Sequence, residues 1–221
     1  MYLLRPEGTP ATSMLSLANT VSFRYVSVMP GRIYMSLLDV ATGQYGYVTA
    51  DDARALGIDP AQLRLMHHRG ALDRLAIGLY RFPIVPANAL DQYMEATLWP
   101  RTPTVLSHET ALDLHDVCDV NPAPIHLTVP PAYRLRRDLP AMYELHLRAL
   151  DASDVTLHEG IPIVTVQRAI LDGIDVGLGG QLIDQAVATA ERRGLLGRDE
   201  LYEITALRQG RRERSARGAG R

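Results

Sequence analysis

The strongest constraint on this chain is the spacing of helix-start and helix-stop signals between Thr49 and Gly78. Thr49 is a good N-cap, and Asp51 and Asp52 fall in the first turn that would follow it. Ala53 and Leu56 are spaced to face inward, and Gly57 ends the pattern. Asp59 then caps a second helix with Pro60 at its first position, and Gly70 closes it after Arg69. Residues 72–76 and 79–82 read as two short strands joined across Ile77 and Gly78.

Helix, tight glycine turn, helix and β-ribbon is the order of a winged helix–turn–helix. In that arrangement the first helix braces, the second can enter a major groove, and the ribbon can lie along the adjacent backbone. A helical wheel for the second helix puts Leu63, Met66 and Gly70 on the core side, with His67 at its edge. Arg64, Leu65 and His68 fall on the opposite face with Ala61, and Gln62 and Arg69 flank them. No acid follows Asp59 in this helix. Arginine can read guanine, glutamine can read adenine, and an exposed leucine can meet a thymine methyl. With Arg74 and Arg81 on the ribbon, the candidate DNA-binding set is Gln62, Arg64, Leu65, His68, Arg69, Arg74 and Arg81. Asp51 and Asp52 are read as helix-dipole residues, not catalytic ones.

The rest of the chain divides around this segment. Residues 1–34 are punctuated by Pro6, Gly8, Pro10, Pro30 and Gly31 and hold no period. They are expected to be a disordered or artefactual extension, with Met35 an alternative start to Met1. They do not form a good signal peptide, since Asn19 and Arg24 break the apolar stretch. Residues 36–86 form the first unit, opening with a short helix over 36–42 closed by Gly43, and Pro83 and Pro86 mark its end. Residues 88–206 form a second, mixed α/β unit. Its helices are expected at 89–99, from a Ser107 cap to about 116, and at 165–172, 180–193 and 199–207; its strands at 125–129, 143–150 and 161–164. Residues 207–221 are expected to be a disordered basic tail, with six arginines and one acid, Glu213. The fold class is α+β: an N-terminal winged helix–turn–helix followed by a mixed α/β C-terminal domain.

Composition narrows the chemistry. Cys118 is the one cysteine, so no intramolecular disulfide can form, which suits a reducing cytosol. All 23 basic residues are arginine, which removes Schiff-base chemistry, a P-loop lysine and a lysine general base. Net charge is −2, so any basic surface is local. No apolar run approaches the roughly 18 residues of a membrane helix, and the expected location is cytoplasmic. His108-Glu109 and His115-Asp116 sit two helical turns apart and do not form a HExxH pair. His126 lies in an alternating strand and reads as a core-edge or cross-strand residue. No metal site and no cofactor are expected. Asp172, Asp175 and Glu191 offer carboxylates for a nuclease, but the acid-x-Lys element of restriction-type cores needs a lysine that this chain lacks. Gly177 to Gly180 precede a helix without a strand immediately before them, so no phosphate loop is expected. The chain is read as a non-enzyme.

The run from Gly57 to Leu72, followed by Gly78-Leu79-Tyr80-Arg81, resembles the N-terminal domain of AbiEi-type antitoxins. Residues 106–112, 125–130 and 160–172 are similar to segments of that family's C-terminal domain, so the resemblance spans roughly 45–205. It departs at Ile77, where the family wing often has arginine, and at Leu65 and His68, where its recognition helix often has arginine. The resemblance implies an autorepressor that binds inverted repeats of double-stranded DNA in its own promoter. It also implies a cognate nucleotidyltransferase toxin as partner, neutralised directly or indirectly. Within the family-like second unit, Arg168 either pairs with Asp172 at i+4 or belongs to the surface that acts against the toxin. Two other readings stay open: a winged-helix regulator whose second domain senses a ligand or dimerises, and a nucleic-acid-processing enzyme.

Overall fold

The computed structural model describes residues 31–219. The first helix, α1 (Arg32–Thr42), buries Leu37 and Ala41 and ends at Gly43. It starts four residues earlier than residue 36. Tyr34 packs edge-on against Phe82, with ring centroids 5.1 Å apart, so residues 32–34 belong to the folded unit. The expectation for residues 1–30 lies outside the described residues.

Strand β1 (Tyr47–Thr49) leads directly into α2 (Ala50–Ala55). Thr49 and Asp52 form a reciprocal capping box: the Thr49 hydroxyl accepts from Asp52 N–H at 3.1 Å, and the Asp52 carboxylate accepts from Thr49 N–H at 2.7 Å. In α3 (Ala61–His68), Asp59 Oδ1 accepts from Ala61 N–H at 2.8 Å, and Leu63 is fully buried. The ribbon follows as β2 (Asp73–Ala76) and β3 (Leu79–Arg81). The three strands form an antiparallel sheet in the order β1-β3-β2, with an irregularity between Arg74 and Ala76. The sequence missed β1 because three residues are too few to show a period.

This small sheet has a core on each face. Val48 and Tyr80, which pair in register, pack with Leu37, Ala53, Leu63, Leu72 and Phe82 under α1–α3. Tyr47 and Leu79 point the other way, into the large core of the second unit. There α4 (Asp91–Leu98) lies against them, and Tyr47 Oη donates to Glu95 Oε2 at 3.2 Å. The Pro83–Pro86 boundary is therefore bridged by packing through the sheet.

The second unit adds β4 (Val105–Leu106), α5 (His108–Leu114), β5 (Ile125–Val129), β6 (Tyr143–Leu147), β7 (Val155–His158) and β8 (Ile161–Val164). Its five-stranded sheet runs β6-β5-β4-β8-β7, with β5/β6 and β4/β8 parallel and the other pairs antiparallel. Helices α6 (Val166–Val176), α7 (Gly180–Arg192) and α8 (Arg198–Ala219) complete it. The expected α+β class holds: a helix–strand N-terminal region precedes a mixed sheet with helices. Among the described residues no helix is long and apolar enough to cross a membrane.

The basic tail departs from expectation, because residues 207–219 continue α8. Polar contacts anchor this part of the helix in place of apolar burial. Ile204 is buried, Arg208 pairs with Asp184 at 2.6 Å, and Arg211 donates to the carbonyls of Ile174 and Asp175 at the end of α6. A cation at a helix C-terminus meets unpaired carbonyls and the negative end of the dipole. Gly177 (φ +88°) adopts the left-handed turn that ends α6, and a Cβ there would lie 2.8 Å from the Arg211 guanidinium, which would have to shift.

Two leucines of the ribbon should separate sharply. Leu79→Ala should cost about 2–5 kcal/mol, because Leu79 is fully buried in the larger core. Leu75→Ala, exposed on β2, should stay within about 0.5 kcal/mol of wild type. Urea unfolding of both variants measures this, and equal losses would contradict a sheet buried on two sides.

Candidate functional site

Helix α3 presents its polar face to solvent. Arg64, Leu65, His68 and Arg69 are exposed, and Gln62 is half-buried. Leu63 anchors the opposite face and Met66 packs at its edge. His67 sits between helix and ribbon. Its Nδ1 lies 3.0 Å from the Leu72 carbonyl, so that nitrogen carries the proton, and this contact fixes the start of the ribbon against α3.

Among the described residues, Arg64, Arg69 and Arg74 form no salt bridge, whereas Arg54 and Arg81 do. Arg81 is turned inward. Its guanidinium donates to Asp91 Oδ2 at 2.8 Å and to the Val85 carbonyl at 3.0 Å, and it lies 5.7 Å from the Tyr47 ring centroid. Strand alternation explains this: Arg81 shares a face with Leu79 and is registered opposite Tyr47, so it faces α4 and not an external ligand. The exposed cations of α3 and the ribbon are therefore Arg64, Arg69 and Arg74. Ile77 stands 64% exposed at the ribbon tip. Beside it, Gly78 (φ +76°) lies under Arg101, whose guanidinium would be 3.1 Å from a Cβ at that position. Arg101 also pairs with Asp51 at 3.1 Å, so the second unit touches both the ribbon and α2.

Arg168 is paired as well. Its Nε lies 2.9 Å and an Nη 2.7 Å from Asp172 Oδ1, one turn along α6. Asp172 is fully buried, and Arg148 approaches it at 3.5 Å while holding Asp175 at 2.8 Å. Burial raises the Asp172 carboxyl above its ordinary range, with Arg168 opposing the shift. Among the described residues Asp172 Oδ2 has no hydrogen-bond partner, and it faces His108 Nδ1 at 3.9 Å.

Around this pair lies a polar cluster that sequence spacing did not reveal. Parallel pairing of β5 and β6 registers His126 with Glu144 and Thr128 with His146, which places all four on one sheet face. His126 Nδ1 and His146 Nε2 are 3.0 Å apart. The His108 ring stacks on His146 at 3.5 Å between centroids, from a backbone held at φ +53°. Ser107 was expected to cap α5, but it makes no cap bond. Its hydroxyl accepts from Thr128 and lies 2.9 Å from His108 Nδ1. Burial pushes His108 down to about 3 and also lowers His146, so both rings are neutral at physiological pH. Residues 108–109, 126 and 144–146 come from three elements, so no local motif could have shown the cluster.

Residues 35–83 match the family described as "Transcriptional regulator, AbiEi antitoxin". No curated protein matched the chain. Among solved structures, the crystal structure of the RV2827C protein from Mycobacterium tuberculosis aligns with a TM-score of 0.49 at 17% identity. That alignment covers 79% of this chain and 71% of that one.

Removing Arg168 leaves a buried carboxylate half-compensated. Arg168→Ala should therefore cost about 3–5 kcal/mol, toward the lower end because Arg148 remains nearby. The double replacement Arg168→Met with Asp172→Leu should recover most of the loss in urea unfolding. If the double variant is as unstable as the single one, the uncompensated charge is not the cause.

The buried imidazoles set a pH dependence. Burial lowers His115, whose Nε2 lies 2.8 Å from the Val164 carbonyl. Below the ordinary histidine value of about 6.5, the unfolded chain takes up a proton that the folded chain refuses. Stability should therefore fall as pH drops through about 6.5, with His108 acting in the same direction. His115→Gln should flatten the slope of Tm between pH 7.5 and 5; an unchanged slope would assign the effect to other groups.

Proposed function

We infer, from residues 35–83 being an AbiEi-type antitoxin and transcriptional-regulator domain, that this chain represses its own promoter and neutralises a cognate nucleotidyltransferase toxin. The family description implies DNA binding. The observation that carries the finer reading is the exposed face of α3. It presents Arg64, His68 and Arg69 with Leu65, without an acid in the helix and without ion pairs to its arginines among the described residues. The Asp59 cap and the buried Leu63 hold that face outward.

With α3 in a major groove, Arg64 and His68 point one turn apart toward base edges or flanking phosphates, and Gln62 and Arg69 reach the rims. Arg74 on the ribbon contacts the neighbouring backbone, where contacts position the protein without reading sequence. Inverted repeats supply two such sites. The exposed apolar Ile77 gives the ribbon tip a lighter electrostatic grip than arginine would. The second unit acts against the toxin, with Arg168 supporting that unit from within through Asp172. On this reading the chain works in the cytoplasm as a regulator and antitoxin and turns over no substrate.

Arg64→Ala tests the groove assignment. It should weaken operator binding by about 1–3 kcal/mol while leaving stability within about 0.5 kcal/mol. Loss of discrimination at one base position marks base reading, and a uniform loss marks a phosphate contact. A folded Arg64→Ala protein with wild-type affinity would remove α3 from the groove. Co-expression with the neighbouring nucleotidyltransferase gene, scored as rescue of growth, tests the antitoxin role separately.

A further inference from the structure

We propose that His126 Nδ1, His146 Nε2 and the Glu144 carboxylate form a binding site for one divalent transition-metal ion of the zinc class. The three donors lie within 4.8 Å of one another. Their separations are 3.0 Å between the two nitrogens, 4.0 Å from His126 Nδ1 to Glu144 Oε2, and 3.9 Å from His146 Nε2 to Glu144 Oε1. A tetrahedral ion with bonds of about 2.0–2.1 Å needs donors about 3.3 Å apart. The two nitrogens stand slightly closer than that, and each faces a different Glu144 oxygen at 3.9–4.0 Å, so the imidazoles must spread and Glu144 must rotate to bring its carboxylate onto the ion. No backbone movement is needed, because β5 and β6 already fix the relative positions of all three residues.

The surroundings support the same ion. His126 is 7% exposed, and its other nitrogen, Nε2, has no hydrogen-bond partner among the described residues. Glu109 Oε2 lies 3.5 Å from it. When Nδ1 gives its lone pair to a metal, the proton must sit on Nε2, and a carboxylate at that position accepts it. That carboxylate–histidine–metal relay is the usual outer partner of a ligating histidine. His146 is braced by the His108 ring stacked on it. In the free protein the His126–His146 contact is a single N–H···N hydrogen bond, and the cation takes the place of the shared proton.

Charge also balances. Glu144 and Glu109 together offset a dication, while Arg148 and Arg168 are held by Asp172 and Asp175. Two imidazoles and one carboxylate suit zinc and its neighbours; magnesium and calcium take oxygen donors. Glu144 is 52% exposed, so the ion has a path from solvent and a fourth position open to water.

Calorimetric titration of the untagged, chelator-treated full chain with zinc chloride tests the site. The expected result is one saturable equivalent that millimolar magnesium does not displace, with visible cobalt absorption of tetrahedral intensity when cobalt replaces zinc. Glu144→Gln and His146→Gln should each weaken binding at least tenfold, and Glu109→Gln ten- to a hundredfold. Glu144 is the decisive position because its exposed side chain can change without disturbing the fold. Absence of saturable zinc binding overturns the proposal. So does one-equivalent binding that either Glu144→Gln or His146→Gln leaves at wild-type affinity, which would place the ion elsewhere, for example at His67 and His68.

Discussion

A three-stranded sheet with two buried faces sets most of what this molecule can do. Side chains alternate along β1 and β3, so Val48 and Tyr80 serve the small core under α1–α3 while Tyr47 and Leu79 serve the large one. Neither unit can complete its core without that sheet. The same alternation commits Arg81 to Asp91 and Tyr47, and so removes one cation from the outer surface of the ribbon. Arg101 adds a polar tie, reaching from the second unit to Asp51 and lying over Gly78. Helix α3, carried beside this sheet, is thereby positioned by the body that follows it.

The second unit solves a different problem. One face at the β5–β6 end of its sheet is apolar: Leu127 and Tyr143 join the large core, and Tyr143 meets Trp99 edge-on at 5.8 Å. The other face carries His126, Thr128, Glu144 and His146. Polar groups on a covered face are costly unless they find partners. Here they find one another, together with Ser107, His108, Glu109 and the Arg168–Asp172 pair. Two atoms, His126 Nε2 and Asp172 Oδ2, make no hydrogen bond among the described residues. A set of apolar residues would fill this space at lower cost.

Local chemistry made the winged segment legible in the sequence. Thr49, Gly57, Asp59, Gly70 and Gly78 each fix a start, a stop or a turn within a few residues, and the structure uses them so, although α3 begins one residue later than read, at Ala61 with Pro60 in the N-cap position. The wheel of α3 placed Leu63 inside and Arg64 outside because a helix period needs only eight residues to declare itself. Arg168 with Asp172 was readable for the same reason, being one turn apart on one helix.

What lay beyond local reach was decided by the tertiary structure. Whether Arg81 faces solvent or α4 depends on which side of the ribbon the second unit covers, and no residue near Arg81 encodes that. Residues 207–219 continue a helix and are not a free arm, because Arg208 and Arg211 meet Asp184 and the carbonyl end of α6, partners far away in the chain. The His126–Glu144–His146 cluster follows from the register of two parallel strands joined by a long irregular segment. A one-residue slip in that register would turn Glu144 and His146 to the opposite face. The sequence thus determined the helices of the winged segment and the buried side of α3 at Leu63, which follow from short-range sterics and periodicity, but it left β1, β4 and β7 unread and turned Leu56 and Gly70, both exposed, toward the core. Only the folded chain could decide which faces meet, since that depends on packing between segments whose separation leaves no periodic trace.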